Sequence, residues 1–426
     1  MTKAQSTGQV ETSRLIRSFP FFYGWVNLAV SGLGLIMTSP GQTYAVSIFI
    51  ESFIEDLGLS RSMVSTLYAV GTLGGSLALP LMGRSIDRYG VRKIGTAVSI
   101  FFGLSCIFMG FAENAAMLGI GFVGLRMLGQ GSLYLVCLNA INRWWVRRRG
   151  EAIGVSGLIT SIIAMGLTPG LIDGMIPEFG WRTTYMILGG VLLAFMAPMA
   201  LIFIRDQPEK YGLHPDGVPL ADSMGNKVHV AEVHWTLKEA FRTTTFWVVM
   251  LGSSCSAMLS TGLMFHMVGI VTDHGMSASV AAWLYLPLSI TTAVVTLASG
   301  MLLERVSIAR MMGLSQFLLA LSLLMAPYLQ GYSLAVTYGV ILGASGGLSR
   351  TIGGVAWAHF YGRQYLGSIT GMTTGIGIAS SALGPMVFGV ARDLAGSYGT
   401  VLMASAVLPL ALGFASPLIS HPEKER

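Results

Sequence analysis

The sequence predicts an all-α membrane protein of twelve transmembrane helices, arranged as two pseudo-symmetric six-helix bundles. Three observations predict it. The 426 residues are 53% hydrophobic and only 11% charged, whereas soluble domains carry roughly 25% charged residues. About twelve apolar stretches each approach the roughly 20 residues needed to span hydrocarbon. A charged, glycine-bounded turn, GRSIDRYGVRK at 83–93, recurs in blurred form as GMLLERVSIAR at 300–310. In the second copy Glu304 and Arg305 stand where Asp87 and Arg88 stand in the first. The copies lie about half a chain apart, which indicates a duplicated six-helix unit.

Taken in order, residues 1–20 are polar, with Lys3, Arg14 and Arg17 and no apolar core or cleavage site. They are expected to be a cytoplasmic tail. The N-terminal bundle is expected over 21–204, with spans near 22–48, 62–82, 92–112, 116–141, 151–174 and 183–204. Residues 205–243 form the longest polar segment and begin RDQPEKYGLHPDG, rich in turn formers and charge. They read as a cytoplasmic linker. Near its end Thr236 and Glu239 have the spacing of a capping box. The C-terminal bundle is expected over 244–420, with spans near 246–271, 279–302, 309–328, 333–359, 365–390 and 398–419. Residues 421–426 are a second cytoplasmic tail.

Loop charge sets the orientation. Arg84, Arg88, Arg92, Lys93, Arg143 and Arg147 to Arg149 fall on one side, with most later loop cations. The other side carries mainly Arg61, Arg182 and Arg392 among acids such as Glu51, Glu55 and Asp56. The positive-inside rule places both termini in the cytoplasm and the chain in the cytoplasmic (inner) membrane. The net charge of +6 belongs to those loops, so nucleic acid is not an expected partner. Cys106, Cys137 and Cys255 lie in apolar runs, without metal or disulfide spacing. No nucleotide loop or nucleophile constellation appears. An enzyme is therefore not expected, nor is a cofactor or metal.

The 83–93 turn carries the first functional candidate. Asp87 cannot face lipid, and the positive end of helix eleven, near Gly367, points at the same surface. Asp87 is expected to dock there when the cytoplasmic side closes. Glu304 is expected to dock near Gly150 at the start of helix five. Gly83, Asp87, Arg88, Gly90, Arg92 and Glu304 together are the expected cytoplasmic gate. Gly367, Gly371 and Gly375 repeat every four residues and mark a close-packing face of helix eleven.

Two arginines stand apart from the loops. Arg126 lies in the outer half of helix four and Arg350 well inside helix ten, and these helices occupy matching positions in the two halves. A charge at such depth must face the bundle interior and find a partner. Arg126, Gln130, Tyr134 and Cys137 share one face of helix four. Either arginine suits a carboxylate, which Arg binds through paired hydrogen bonds. Each also has a structural reading, tied to backbone carbonyls. The 20 acids all map to tails, loops or helix ends. A cavity with cations and no fixed acid favours an anionic substrate. His266 in helix seven is either a titrating group or a packing histidine. The expected substrate-binding set is Arg126, Arg350, Gln130, Tyr134 and His266. Trp25, Tyr44, Trp181, Tyr332 and Tyr398 are expected as interfacial belt residues.

The 83–93 turn and the twelve-span plan resemble the major facilitator superfamily. FFYGW at 21–25, PGQTYAVSIFIESFIEDLGLSRS at 40–62, RWWVRRRGEAIG at 143–154 and RDQPEKYGLHPDG at 205–217 are more selective. They resemble the branch of monocarboxylate transporters and bacterial oxalate:formate antiporters. That resemblance implies a secondary active transporter, a multi-pass membrane protein moving a small organic anion, often a monocarboxylate. It implies alternating access with proton symport or anion exchange, and a monomer in the lipid bilayer is expected. Cations that this branch often carries in helices eight or eleven have no counterpart at 279–302 or 365–390. Two other readings stay open: a drug or metabolite exporter of the same fold, and a nutrient sensor that does not transport.

Overall fold

The computed structural model describes residues 14–59, 61–217, 234–276, 278–303, 305–395 and 397–423. Glu304 and the middle of the linker, 218–233, lie outside the described residues. Helices dominate, and no strand occurs among the described residues.

After a single turn at Arg14–Arg17, the first span, α1 (Gly24–Met37), is shorter than its apolar run. Pro40 cannot donate a backbone hydrogen bond, and the chain turns through a 3-10 segment at Ser39–Gly41. It continues as short helices Thr43–Val46 and Ile50–Leu57. The second span, α2, comprises Arg61–Leu77 and Leu79–Tyr89. Gly90, at φ 88°, turns the chain into α3 (Val91–Gly110). Asn114 caps α4 by accepting from the Met117 N–H. This span runs through Ala115–Gly124, a wide π-helical stretch Leu125–Leu133, and Tyr134–Trp144. The fifth span, α5, starts at Arg149–Thr160, widens over Ser161–Leu167 and enters the helix Thr168–Val191. That helix breaks at Gly180 (φ 74°, ψ 157°), and α6 follows, ending in Ala197–Phe203.

In the second half, Thr243 caps α7 (Thr244–Phe265) and Ser307 caps α9 (Ile308–Met325). Between them lies α8 (Ala278–Leu302). The longest helices are α10 (Gly331–Tyr361) and α11 (Leu366–Ala395), followed by α12 (Gly399–Ala415). Thr236 and Glu239 form the expected capping box before α7.

Apolar and polar side chains are distributed for lipid. Leu77, Leu81, Val407 and Phe414 are each more than 60% exposed. Asn27, Asn139, Asn142 and Gln316 are buried. Gln316 donates to the Gly252 carbonyl and to Ser256 Oγ, each at 2.9 Å. In hydrocarbon such bonds must be made inside the bundle. Among the described residues, eight stretches are long and apolar enough to cross a membrane, and one, Arg149–Phe203, holds both α5 and α6.

The halves meet along two helix pairs, α2 with α11 and α5 with α8. The glycine repeat of α11 lies against α2. A Cβ at Gly367, Gly371 or Gly375 would sit 2.5–2.9 Å from the carbonyls of Gly83, Leu79 and Ser76 respectively. The second pair copies this approach. A Cβ on Gly150 would overlap the Gly300 carbonyl, and a Cβ on Gly300 the Gly150 carbonyl.

Candidate functional site: a central cavity and a closed end

A cavity of about 160 Å³ lies between the halves. Its polar lining comes from the broken end of α1 (Thr38, Gln42, Tyr44), from Tyr134 of α4, from Ser156 and Thr160 of α5, and from Arg350 of α10. Arg350 is the one charged residue in that lining among the described residues. Its Nη1 donates to Ser161 Oγ at 3.0 Å.

The break in α1 builds one wall. Gly41 presses its bare backbone against the π-helical stretch of α4, 3.1 Å from the Gly129 Cα as measured from an added Cβ. A larger residue would lift the chain away. The turn therefore delivers Gln42 and Tyr44 to the interior. Gln42 donates to Thr38 Oγ1 at 3.1 Å, and the Tyr44 and Ser39 hydroxyls are 3.1 Å apart. Tyr44, expected in the interfacial belt, is thus a cavity residue. The Ser39-Pro40-Gly41 triplet was the sequence signal that could have relocated it.

The expected substrate residues separate. Arg350 and Tyr134 line the cavity. Arg126 is 3% exposed and lies behind the wall. Its Nε donates to Thr72 Oγ1 at 2.9 Å and its Nη1 to the Gly41 carbonyl at 2.9 Å. Its guanidinium also stacks 4.7 Å over the Tyr68 ring. These bonds tie α4 to α2 and to the break in α1. Gln130 packs beneath Gly41, with its Oε1 buried and unpartnered among the described residues. His266 sits at the far end of α7. Its Nε2 lies 2.8 Å from the Pro385 carbonyl and its Nδ1 3.0 Å from Tyr398 Oη. Both ring nitrogens are thereby engaged in packing α7 against α11 and α12.

At one end of the bundle, the Asp87 carboxylate meets the N-terminus of α11. It accepts from the Gly367 N–H at 2.8 Å, the Ser368 N–H at 2.6 Å and the Ser368 hydroxyl at 2.6 Å. Two otherwise orphaned helix N–H groups are satisfied, and the carboxylate faces the positive end of the helix. Arg143, at the end of α4, donates to Asp87 Oδ1 at 3.2 Å. Sequence reasoning counted Arg143 only as a loop cation. It is 3% exposed, and its place at the end of an apolar helix was the available signal.

The other turn residues act nearby. Gly83 allows the approach to Gly367. Arg88 lies over the Tyr89 ring. The Arg92 Nε donates to the Leu201 carbonyl at 2.7 Å. Asn139 of α4 donates to Thr370 Oγ1 at 3.0 Å, and Asn142 to the Gly354 carbonyl at 2.9 Å, closing the same end. At the opposite end, Trp181 and Arg182 of α6 donate to Asp56.

A sequence model of the Major Facilitator Superfamily matches residues 31–385. The chain is 25% identical to the uncharacterized MFS-type transporter YhjX of Escherichia coli (strain K12), over 59% of this chain and 58% of that protein. It is 25% identical to the probable nitrate/nitrite transporter NarK2 of Mycobacterium tuberculosis (strain ATCC 25618 / H37Rv), over 80% and 83%. It is 23% identical to monocarboxylate transporter 11 of Mus musculus, over 92% and 86%. Against several curated relatives the match spans between 35% and 58% of their length. The fold superposes on the crystal structure of the human organic anion transporter MFSD10 (TETRAN) with a TM-score of 0.70. That match covers 92% of this chain and 99% of the other at 12% identity, a likeness of fold alone.

Proposed function

The chain belongs to the Major Facilitator Superfamily, and from that premise we propose that it carries a small organic anion, a monocarboxylate, by alternating access. The single observation behind this reading is the cavity lining: among the described residues it offers one guanidinium, several hydroxyls and an amide, and no carboxylate. A charge held at mid-membrane costs several kcal/mol unless it is paired. A substrate carboxylate supplies the pair, through two parallel hydrogen bonds from Arg350. Tyr44, Tyr134 and Gln42 orient it. One cation balances one negative charge, and about 160 Å³ suits a molecule of a few heavy atoms. Relatives named for monocarboxylate and for nitrate or nitrite transport support an anion.

In this proposal Arg126 braces the wall that presents Gln42 and Tyr44. The Asp87 end faces the cytoplasm of the inner membrane, as do both termini, and the described state is closed there. Opening it releases Asp87 from α11 and separates Gly83 from Gly367. Gly90, Arg88 and Arg92 shape the turn that carries Asp87, and Glu304 is the matching acid of the second half. Coupling is by proton symport or anion exchange, and the unit is a monomer of two bundles, 21–204 and 244–420, joined by the 205–243 linker.

The test is uptake into proteoliposomes of labelled two- to four-carbon monocarboxylates and nitrate, with and without a pH gradient. Saturable uptake of a monocarboxylate is expected. Arg350→Gln should weaken affinity about 30-fold, the loss of one charge-assisted pair at roughly 2 kcal/mol. Arg126→Gln should lower the yield of folded protein while the affinity of what folds is kept. Uptake confined to cations or neutral drugs overturns the reading.

A further inference from the structure

The segment Arg205–Gly217 leaves α6 at the end where Asp87 docks. Three of its acids each grip a different part of the closed end. Asp206 Oδ1 accepts from the Arg92 N–H at 3.2 Å, in the first turn of α3. The same carboxylate fills the space beside Gly90, where any Cβ would overlap it. Asp216 reaches the other turn of the first half, between α4 and α5. Its carboxylate accepts from the N–H groups of Val146 (3.2 Å), Arg147 (2.8 Å) and Arg148 (3.1 Å). To do so it adopts φ 58°, the one positive φ at a non-glycine residue among the described residues. Such a conformation persists where surrounding contacts over-determine it. Trp144 Nε1 donates to the Arg205 carbonyl at 2.9 Å and fixes the start of the segment.

The third acid crosses to the second half. Glu209 Oε1 accepts from Arg363 Nη2 at 2.7 Å, in the turn after α10. The Nη1 of the same guanidinium donates to the Arg143 carbonyl at 2.6 Å. Arg143 in turn holds Asp87. A continuous chain of contacts therefore runs from Asp87 through Arg143 and Arg363 to Glu209.

We infer that Arg205–Gly217 is a strap that holds the Asp87 end closed, with Glu209 and Arg363 as its positioning residues. The inference rests on the proposal that this end opens and closes during transport. Asp206 and Asp216 fix the strap to both turns of the first half, so Glu209 is presented at a set position. Its bond to Arg363 spans the halves and breaks on opening. Glu209 is 45% exposed and Arg363 12% exposed. A pair this accessible is weak alone, so the strap biases the equilibrium between closed and open and does not lock it.

The test uses the full chain in lipid nanodiscs without added substrate. Spin labels at Lys93→Cys and Arg310→Cys report the separation of the halves by pulsed electron resonance. Both positions are exposed, and Cys106, Cys137 and Cys255 are buried. Glu209→Gln should raise the long-distance population about two- to fivefold. Asp216→Ala should raise it at least as much, and Glu209→Asp should restore the parent distribution. Parent-like distributions in Glu209→Gln and Asp216→Ala, beside a lengthened one in Asp87→Asn, overturn the strap and leave the latch standing. An unchanged distribution in Asp87→Asn overturns the latch and the strap with it.

Discussion

The α2–α11 contact and the α5–α8 contact solve one problem in two ways. At both, bare backbone meets bare backbone: Gly83 against Gly367, and Gly150 against Gly300. The sequence repeat thus encodes a close approach of helices at each. The chemistry added to that approach differs. At the first, Asp87 accepts three hydrogen bonds from the start of α11 and pairs with Arg143. At the second, Arg147 of the turn after α4 and Arg149 and Glu151 at the start of α5 line a cavity of about 400 Å³ with Gly300 and His359. His359, at the end of α10, stands where Arg143 stands at the end of α4, and its ring lies 4.7 Å from that of His421. The backbone contact is therefore duplicated while the residue at the helix end beside it differs, Arg143 on α4 and His359 on α10, because glycine packing and the side chains around it are set by different residues. The matching acid, Glu304, lies outside the described residues.

Three experiments break or sharpen this comparison. The largest effect should come from Gly83→Val and Gly150→Val, since each new side chain overlaps a facing carbonyl. Each should cost the closed state about 3 kcal/mol, read as a shift of the spin-label distance toward open. Equal shifts support equivalent backbone contacts, and a shift in only one breaks the comparison. Next is Asp87→Asn, which weakens charge-assisted bonds by about 2 kcal/mol. Folding should be kept, as judged by size exclusion and melting, and transport in proteoliposomes should slow by about an order of magnitude. An unchanged rate removes the gate role from Asp87.

The smallest effect concerns the opposite end of the bundle. Hydrogen bonds from Trp181, then from Arg182, hold the Asp56 carboxyl below its ordinary value of 3.8. A lowered folded-state value means that the clip contributes stability above the ordinary carboxylate range. That contribution fades as pH falls through the lowered value. The indole N–H resonance of Trp181, followed by NMR on acidification, should titrate with a midpoint below the ordinary carboxylate value. A midpoint above that value would detach Asp56 from the clip.

Much of this was legible in the sequence. Lipid cannot satisfy a backbone amide, so each apolar run of sufficient length has to be a helix, and hydropathy finds it. The docking of Asp87 followed from a charged turn and a helix dipole on one surface. The spacing of Gly367, Gly371 and Gly375 named the face that packs on α2. The candidate site was less legible. Arg126 and Arg350 look alike along the chain, each an arginine inside an apolar span, in matching helices. Only the fold turns one into the wall and the other into the cavity, because Gly41 folds back over Arg126 and offers it a carbonyl. Tyr44 moved from belt to cavity for the same reason.

What the sequence alone determined is therefore local or periodic: the spans, the close-packing faces, the cap at Thr236, and the carboxylate at a helix start. These depend on neighbours a turn or two away. The tertiary structure decided what depends on distant segments meeting. It decided the partner of each buried arginine, the reach of Glu209 to Arg363 across 154 positions, and the enclosure of Arg350 by side chains from α1, α4 and α5. The physical reason is range. Hydropathy and helix dipoles act along one helix, whereas a guanidinium takes whichever oxygens the fold brings within 3 Å, and those lie far away in sequence.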